Sequence, residues 1–445
     1  MQKRLRSKVN TVVAALLLAT GTIACSSSDN AKSPGADAKQ PAPGFDYNQT
    51  ATLKFYNQTS SSDYYKSYFE PHIKKKFPNV TVEELNSGTK GNKVDELVAA
   101  KNLPDIYLTT TSNTWSYIDQ GLVTNIDPIA KAHKIDLTVF EEPMLQSIRN
   151  ISPKGELVGL PLTYGSTALF YNKEIFDRYG VAYPKDGMSW DGPELKDMIV
   201  KLNRPGDGIS GIMFSLGNML GQNQLSQPFV DSTGKSLLQT DPFKRIIDTF
   251  ASLYKSGGSM PKEDFDASGQ KAFITKRNVA MWAGNAVYPS LIELEKKGQG
   301  FNWDVVSLPT FKEAPGVGTQ YFGAVMLASA ANGKQDLATH VISLLTSAEV
   351  QIEGGSIIRF PTLKDPVVKA SLGKGEKFLE VKNMKALYLN KIPPLIKPTE
   401  FDSTATSNLV AKAVEIIRDG IDTNTALREA AEATDKKIAE LKASK

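Results

Sequence analysis

TLKFYNQTSSS, residues 52–62, is the stretch whose reading decides the fold class. Thr52 to Tyr56 alternates well enough for a strand, and Asn57 to Ser62 is a polar loop behind it. Tyr64 to Phe77 then spaces aromatic and aliphatic residues as a helix does and stops at Pro78-Asn79. Val80 to Val82 reads as the next strand, Val94 to Ala100 as a helix, and Pro104 to Leu108 as a third strand leading into a loop at Thr109 to Asn113. Strands alternating with helices predict an α/β fold with a mostly parallel sheet covered by helices. In such sheets ligands collect beyond the carboxyl ends of the strands, where these polar loops sit.

The N-terminus sets the compartment. Met1 to Lys8 carries Lys3, Arg4, Arg6 and Lys8 without an acid, and Val12 to Ala19 is uninterrupted and apolar. That run falls short of the about 20 residues of a spanning helix and reads as a signal peptide, residues 1–24. The small Ala24 before Cys25 resembles the bacterial lipobox, in which the cysteine becomes diacylated. Cys25 is the only cysteine of the 445 residues, so no internal disulfide can form, and lipidation gives an exported lone thiol its reason. Two acyl chains suffice for stable anchoring. The expected location is therefore extracytoplasmic, on the outer face of the cell membrane.

Four of the 52 basic residues lie in the segment expected to be removed, which leaves 48 against 48 acidic ones. A mature chain of zero net charge carries no electrostatic signature of a nucleic-acid partner. From Ser26 to about Tyr47 the composition is Ser, Asp, Asn, Ala, Lys, Pro and Gly, which predicts a flexible tether over residues 25–49. The roughly 400 residues that follow exceed what one core supports, so two lobes are expected.

Further segments carry a resemblance. In order they are Pro104-Asp105-Ile106, Trp115, Gly121 to Asp127, Gly159-Leu160-Pro161-Leu162, Ala168 to Lys173, Pro184 and Ser189-Trp190-Asp191. Phe273, Val279-Ala280-Met281, Gly284, Leu308-Pro309, Gly323, Leu344 to Ser347 and Pro361-Thr362 complete the series. The chain resembles the bacterial extracellular solute-binding proteins of ABC importers, the group that includes maltose-binding protein. The resemblance implies a periplasmic-binding-protein-like fold, two α/β lobes with a hinge and a ligand cleft between them. It places the first lobe at 50–162 plus about 323–362, and the second at about 163–322 plus 363–445. Arg277-Asn278 stands where the family usually has Gly-Lys, so that turn is expected to be built differently.

The implied function is capture of a sugar, an oligosaccharide by the family's habits, followed by hinge closure and delivery to the membrane permease subunits of an importer. The protein is expected to be a monomer, with no cofactor, no metal and no catalytic residues. Sugars are held by amides that exchange hydrogen bonds with hydroxyls and by aromatic rings that cover C–H faces. Asn57, Gln58, Thr59 and Ser60 fit on location and chemistry, as do Thr110, Ser112 and Asn113. Past the first crossing Tyr164 is the candidate. In the second lobe Trp282, Gly284, Asn285 and Tyr288 combine stacking surface, close backbone approach and an amide, and Tyr321 precedes the crossing at Gly323. Trp115, Trp190 and Trp303 read equally or better as packing. Two alternatives stand beside this: a surface adhesin or signalling lipoprotein on the same fold, and a glycan-active enzyme. The enzyme has the weaker case. His72, His133 and His340 lack a metal or nucleophile context, and the adjacent acids Glu83-Glu84 and Glu141-Glu142 read as solvated surface.

Overall fold

The protein is described by a computed structural model covering residues 44–257, 265–266, 268–285, 287–393 and 395–443; the expected signal peptide and Cys25 lie outside the described residues. The strands in chain order are β1 (Ala51–Asn57), β2 (Val80–Asn86), β3 (Ile106–Thr110), β4 (Gly159–Pro161) and β5 (Ala168–Asn172). They continue with β6 (Ser210–Phe214), β7 (Val279–Gly284), β8 (Trp303–Ser307) and β9 (Ala324–Ala328). The helices that matter below are α1 (Glu70–Lys76), α2 (Thr111–Asp119), α3 (Leu216–Gly221), α4 (Asp241–Gly257), α5 (Gln335–Leu345), α6 (Ala348–Ser356), α7 (Asp402–Val414) and α8 (Thr423–Ala443).

Two sheets result, one in each lobe. The first has the order β2-β1-β3-β9-β4 and the second β6-β7-β5-β8. In the first, β1 pairs in parallel with β2 and β3, and β9 runs against both of its neighbours. In the second, β6 and β7 are parallel and β5 runs against both of its neighbours. The two reversed strands are the ones the chain enters directly after crossing from the other sheet. A strand entered from the hinge end must run away from it, while β1, β3 and β7 run toward it. The inner strands are covered on both faces and read as nearly continuous apolar runs, with Leu169, Phe170, Met281 and Leu327 buried, whereas the edge strand β2 exposes Thr81 and Glu83.

The crossings bind one another. Leu162 N–H donates to the Ala324 carbonyl at 2.9 Å, Gly165 N–H to Phe322 at 2.6 Å, and Tyr164 N–H to Phe360 at 3.0 Å. Thr111 N–H, at the start of α2, donates to the Gly323 carbonyl at 3.0 Å. A Cβ on Gly323 would stand 1.8 Å from the Thr163 carbonyl oxygen, so only glycine lets the strands approach. The later return to the second lobe falls beyond Thr362. Pro366–Lys369 still packs on α6, and Met384–Tyr388 is the first piece beside β8. From there α7 packs on α3 and α8, and α8 on α4.

Local departures from expectation have local causes. Strand β2 runs on to Asn86 because its parallel register with β1 pairs Ala51 with Val80 through Asn57 with Asn86. The expected loop at Thr109 to Asn113 is a strand end and a helix start: Thr109 and Thr110 close β3, Thr110 is extended (φ −110°, ψ 159°), and α2 begins at the next residue. Arg277 does the work of a glycine at φ +54°, with its guanidinium 5.0 Å from the centroid of the Phe301 ring. Gly44 to Gln49, within the segment expected to be tether, is laid against the first lobe. Phe45 lies 3.8 Å from the His340 ring and 6.2 Å from Phe77, centroid to centroid, and Tyr47 lies 5.6 Å from Phe77.

His340 sits on α5 under that segment, with His133 at 4.7 Å and its Nε2 without a partner. Burial, reinforced by His133 and Lys76 and opposed by Asp336, pushes its pKa down from 6.5 to about 4. Between those values the unfolded chain takes up a proton that the folded one refuses, so stability falls as pH drops through that window. His340→Leu is expected to flatten the decline in melting temperature between pH 6.5 and 4 relative to the parent; an unchanged slope would remove this assignment. Gly323→Ala, which forces the crossings apart, should lower stability by about 1–3 kcal/mol in denaturant titration. A wild-type midpoint would show that the crossings can separate freely.

Candidate functional site

Between the lobes lies a cavity of about 1040 Å³. The first lobe contributes the exposed and half-buried face of α2: Ser112, Asn113, Trp115, Ser116, Asp119 and Gln120. The second lobe contributes Gly217, Gly221 and Gln222 from α3 and the loop behind it, with Pro228, Phe229 and Val230. The crossing supplies Gln320, Tyr321 and Phe322, and the last wall is residues 395–400 followed by one face of α7.

Two carboxamides of the lining each hold one buried atom without a partner among the described residues. Gln320 is 3% exposed and its Nε2 has no partner; the Oε1 of Gln222 has none either. Their backbones are joined, Gln320 N–H donating to the Gln222 carbonyl at 3.2 Å. The neighbouring amides show the opposite state. Gln224 accepts from Trp190 Nε1 at 2.8 Å and donates to the Pro309 and Val317 carbonyls, at 3.0 and 2.8 Å. Asn223 Oδ1 accepts from Gln227 N–H at 2.8 Å, and its Nδ2 donates to the Gln227 carbonyl at 3.1 Å. These bonds fix the loop that carries Gln222. A buried unpaired amide atom loses about 1–3 kcal/mol relative to a satisfied one, so a donor and an acceptor left open on two residues joined through their backbones call for a partner.

Aromatic surface is present as well. Trp115 and Phe322 are half-buried in the lining. Tyr321 stacks on Tyr164 (6.2 Å, 28°), and its hydroxyl donates to the Thr163 carbonyl at 3.1 Å. Burial pushes the Tyr164 hydroxyl up to about 12 and raises that of Tyr321 further, so both stay neutral. Charge in the lining is mixed, Asp119, Glu400 and Asp402 with Lys397. Burial raises the Asp402 carboxyl, while the Thr399 hydroxyl and N–H, at 2.6 and 3.0 Å, pull it back.

Of the residues expected from sequence, Ser112, Asn113 and Tyr321 line this cavity. Thr110 stands just outside, its hydroxyl 2.9 Å from that of Ser112. Gln58 braces α2: its Oε1 accepts from Asn113 Nδ2 at 3.3 Å, from the Tyr117 hydroxyl at 3.1 Å and from Thr109. Asn57 is fully buried, donating to Glu84 at 2.7 Å and accepting from Ser60 N–H and Oγ at 3.1 and 2.9 Å. Thr59 and Ser60 line a separate space of about 20 Å³ with Tyr64, Thr163 and Arg359. Trp282 and Tyr288 are core residues of the second lobe at 1% exposure, and Trp282 Nε1 donates to the Ser268 carbonyl at 2.7 Å. Gly284 makes room for that indole, since a Cβ would stand 2.2 Å from Trp282 Cζ2. Asn285 lies beside the crossing, 3.7 Å from a Cβ placed on Gly165, with an unpaired Nδ2. Gln222, Gln320 and the α7 face were not singled out in the sequence. The amide run Gln222-Asn223-Gln224 was the available signal.

The profile of the bacterial extracellular solute-binding proteins matches residues 57–352. The chain belongs to this family. Solved structures agree in fold at low identity. The sugar-binding protein MalE from Xanthomonas citri superposes with a TM-score of 0.71 at 17% identity, over 88% of this chain and 98% of that one. The Staphylococcus aureus extracellular solute-binding protein in complex with maltose gives 0.65 at 16%, over 88% and 99%. An ABC substrate-binding protein from Listeria monocytogenes in complex with cycloalternan gives 0.66 at 14%, over 88% and 100%. The protein is thus a solute-binding protein of an extracytoplasmic family.

Trp115 is the half-buried member of four tryptophans; Trp190, Trp282 and Trp303 are 1%, 1% and 2% exposed. Trp115→Phe should therefore remove most of the acrylamide-quenchable emission of this solute-binding protein. If the quenchable fraction survives the substitution, Trp115 is not the residue facing solvent in the cleft.

Proposed function

We propose that this protein captures an oligosaccharide between its lobes and hands it to the membrane permease of an ABC importer. The observation that carries the reading is the pair of unpaired carboxamides, Gln222 and Gln320, facing the same cavity as Trp115 and Phe322. A sugar unit meets both halves of that arrangement: its hydroxyls donate and accept, and its C–H face covers a ring. The volume, about 1040 Å³, lies just above the range of about 300–1,000 Å³ usual for small-ligand sites, which favours a chain of sugar units over one. Maltose and cycloalternan in the similar structures support the same class. Closure follows from ligand contacts made to both lobes, which favour the state in which both are satisfied at once. Binding occurs without turnover, by a monomer. On the sequence of its leader, the protein is tethered through a lipid on Cys25 at the outer face of the cell membrane.

Calorimetric titration with oligosaccharides tests this directly. Gln320→Leu should weaken the sugar that binds by about ten-fold, one neutral hydrogen bond's worth, while the melting temperature holds or rises because a buried unpaired amide is gone. Unchanged affinity would take Gln320 out of the site. Release of shortened sugars during the titration would replace binding by catalysis.

A further inference from the structure

The face that α7 turns into the cavity changes character along its length. Asp402, Ser403, Thr406 and Ser407 come first, all polar. Val410, Ala411 and Val414 follow, all apolar, with Ala411 exposed and the valines half-buried. The unpaired amides mark where the polar part lies. A Cβ on Gly221, the neighbour of Gln222, would stand 3.3 Å from Thr406 Cγ2, which puts Gln222 at the level of Thr406. At 1.5 Å of rise per residue, Val410 and Val414 then lie about 6 and 12 Å further along the helix.

A second or third sugar unit at that distance would meet a helix face without a side chain to pair with its hydroxyls. Removing hydroxyls from water without a partner is unfavourable, whereas covering the half-buried valines and the exposed alanine with an apolar group is favourable. We propose that the ligand of this cleft is amphiphilic: a glycan whose hydroxyls meet Gln222 and Gln320, carrying an apolar aglycone that lies along Val410, Ala411 and Val414. The proposal rests on the sugar-binding reading and narrows its substrate class from a free oligosaccharide to a glycoside with a hydrocarbon or aryl substituent. The buried, unpaired Gln320 side chain makes this a ligand site in its own right and not merely a helix with small residues on one face. The apolar part is continuous with it in one cavity.

The test pairs two glycosides of one sugar. Trisaccharides of glucose, mannose, galactose and xylose are each supplied as the methyl and the butyl glycoside, short enough to stay monomeric, and titrated calorimetrically against the protein. The expected result is a butyl glycoside bound at least about ten-fold more tightly than its methyl counterpart. Ala411→Glu, an exposed helix position, should bring that ratio to about one. Should that variant fail to fold, Val414→Thr, which keeps the shape and adds a hydroxyl, should lower the ratio in the same direction. Equal affinities in the parent protein overturn the amphiphilic ligand and leave the sugar-binding reading standing. A preference for butyl that survives both substitutions overturns the assignment to α7. Binding of none of the trisaccharides in either form overturns the sugar-binding reading itself, and this inference with it.

Discussion

The approach of Gly323 to the Thr163 carbonyl is the contact on which the rest of the structure depends. It lets two antiparallel crossings share hydrogen bonds instead of passing independently, and it leaves both sheets with their open ends toward the same gap. The sense of every strand follows. β9 and β5 are entered from the gap and must run away from it, while β1, β3 and β7 run toward it and deliver their following residues there. Thr111 N–H on the Gly323 carbonyl extends the same joint to the first turn of α2. One wall of the cavity is thereby fixed to the hinge itself.

The other walls are fixed less directly, and the difference shows in their hydrogen bonds. The loop behind α3 is clamped by Gln224 on Trp190, Pro309 and Val317, and by Asn223 on Gln227, which leaves Gln222 rigid but unsatisfied. Rigidity around an open polar group is what preorganisation for a ligand requires, because the bond to the ligand then need not order the protein as well. α7 contributes by position. It packs on α3 and α8 and presents to the cavity the side of its cylinder that neither covers.

Strand and helix alternation was legible from Thr52 onward because β1 alternates at its start and the inner strands that follow are short, apolar and bounded by polar loops. The ordered family segments conveyed the two-lobed plan. What sequence could not convey was the side of an element on which a residue falls once every side is apolar. Trp282 and Tyr288 carry the same residue types as a sugar platform, yet they sit in the core, and Gly284 serves the indole beside it. Gln58 looked like a ligand amide and is a brace for α2, which only the fold of Tyr117 and Asn113 back over β1 decides. Gln222 and Gln320 are far apart in the chain and meet through a backbone bond between a loop and a crossing. No local pattern encodes that pairing.

Phe45 and Tyr47 have a mechanical consequence. The first described residues are clasped to Phe77, His133 and His340, all of the first lobe, and pass straight into β1 of that lobe. A pull on the chain upstream of Gly44 would be met first by this clasp and by the β1–β2 and β1–β3 ladders, in shear, within the first lobe. The first lobe is thus the one that bears whatever load its N-terminal chain carries.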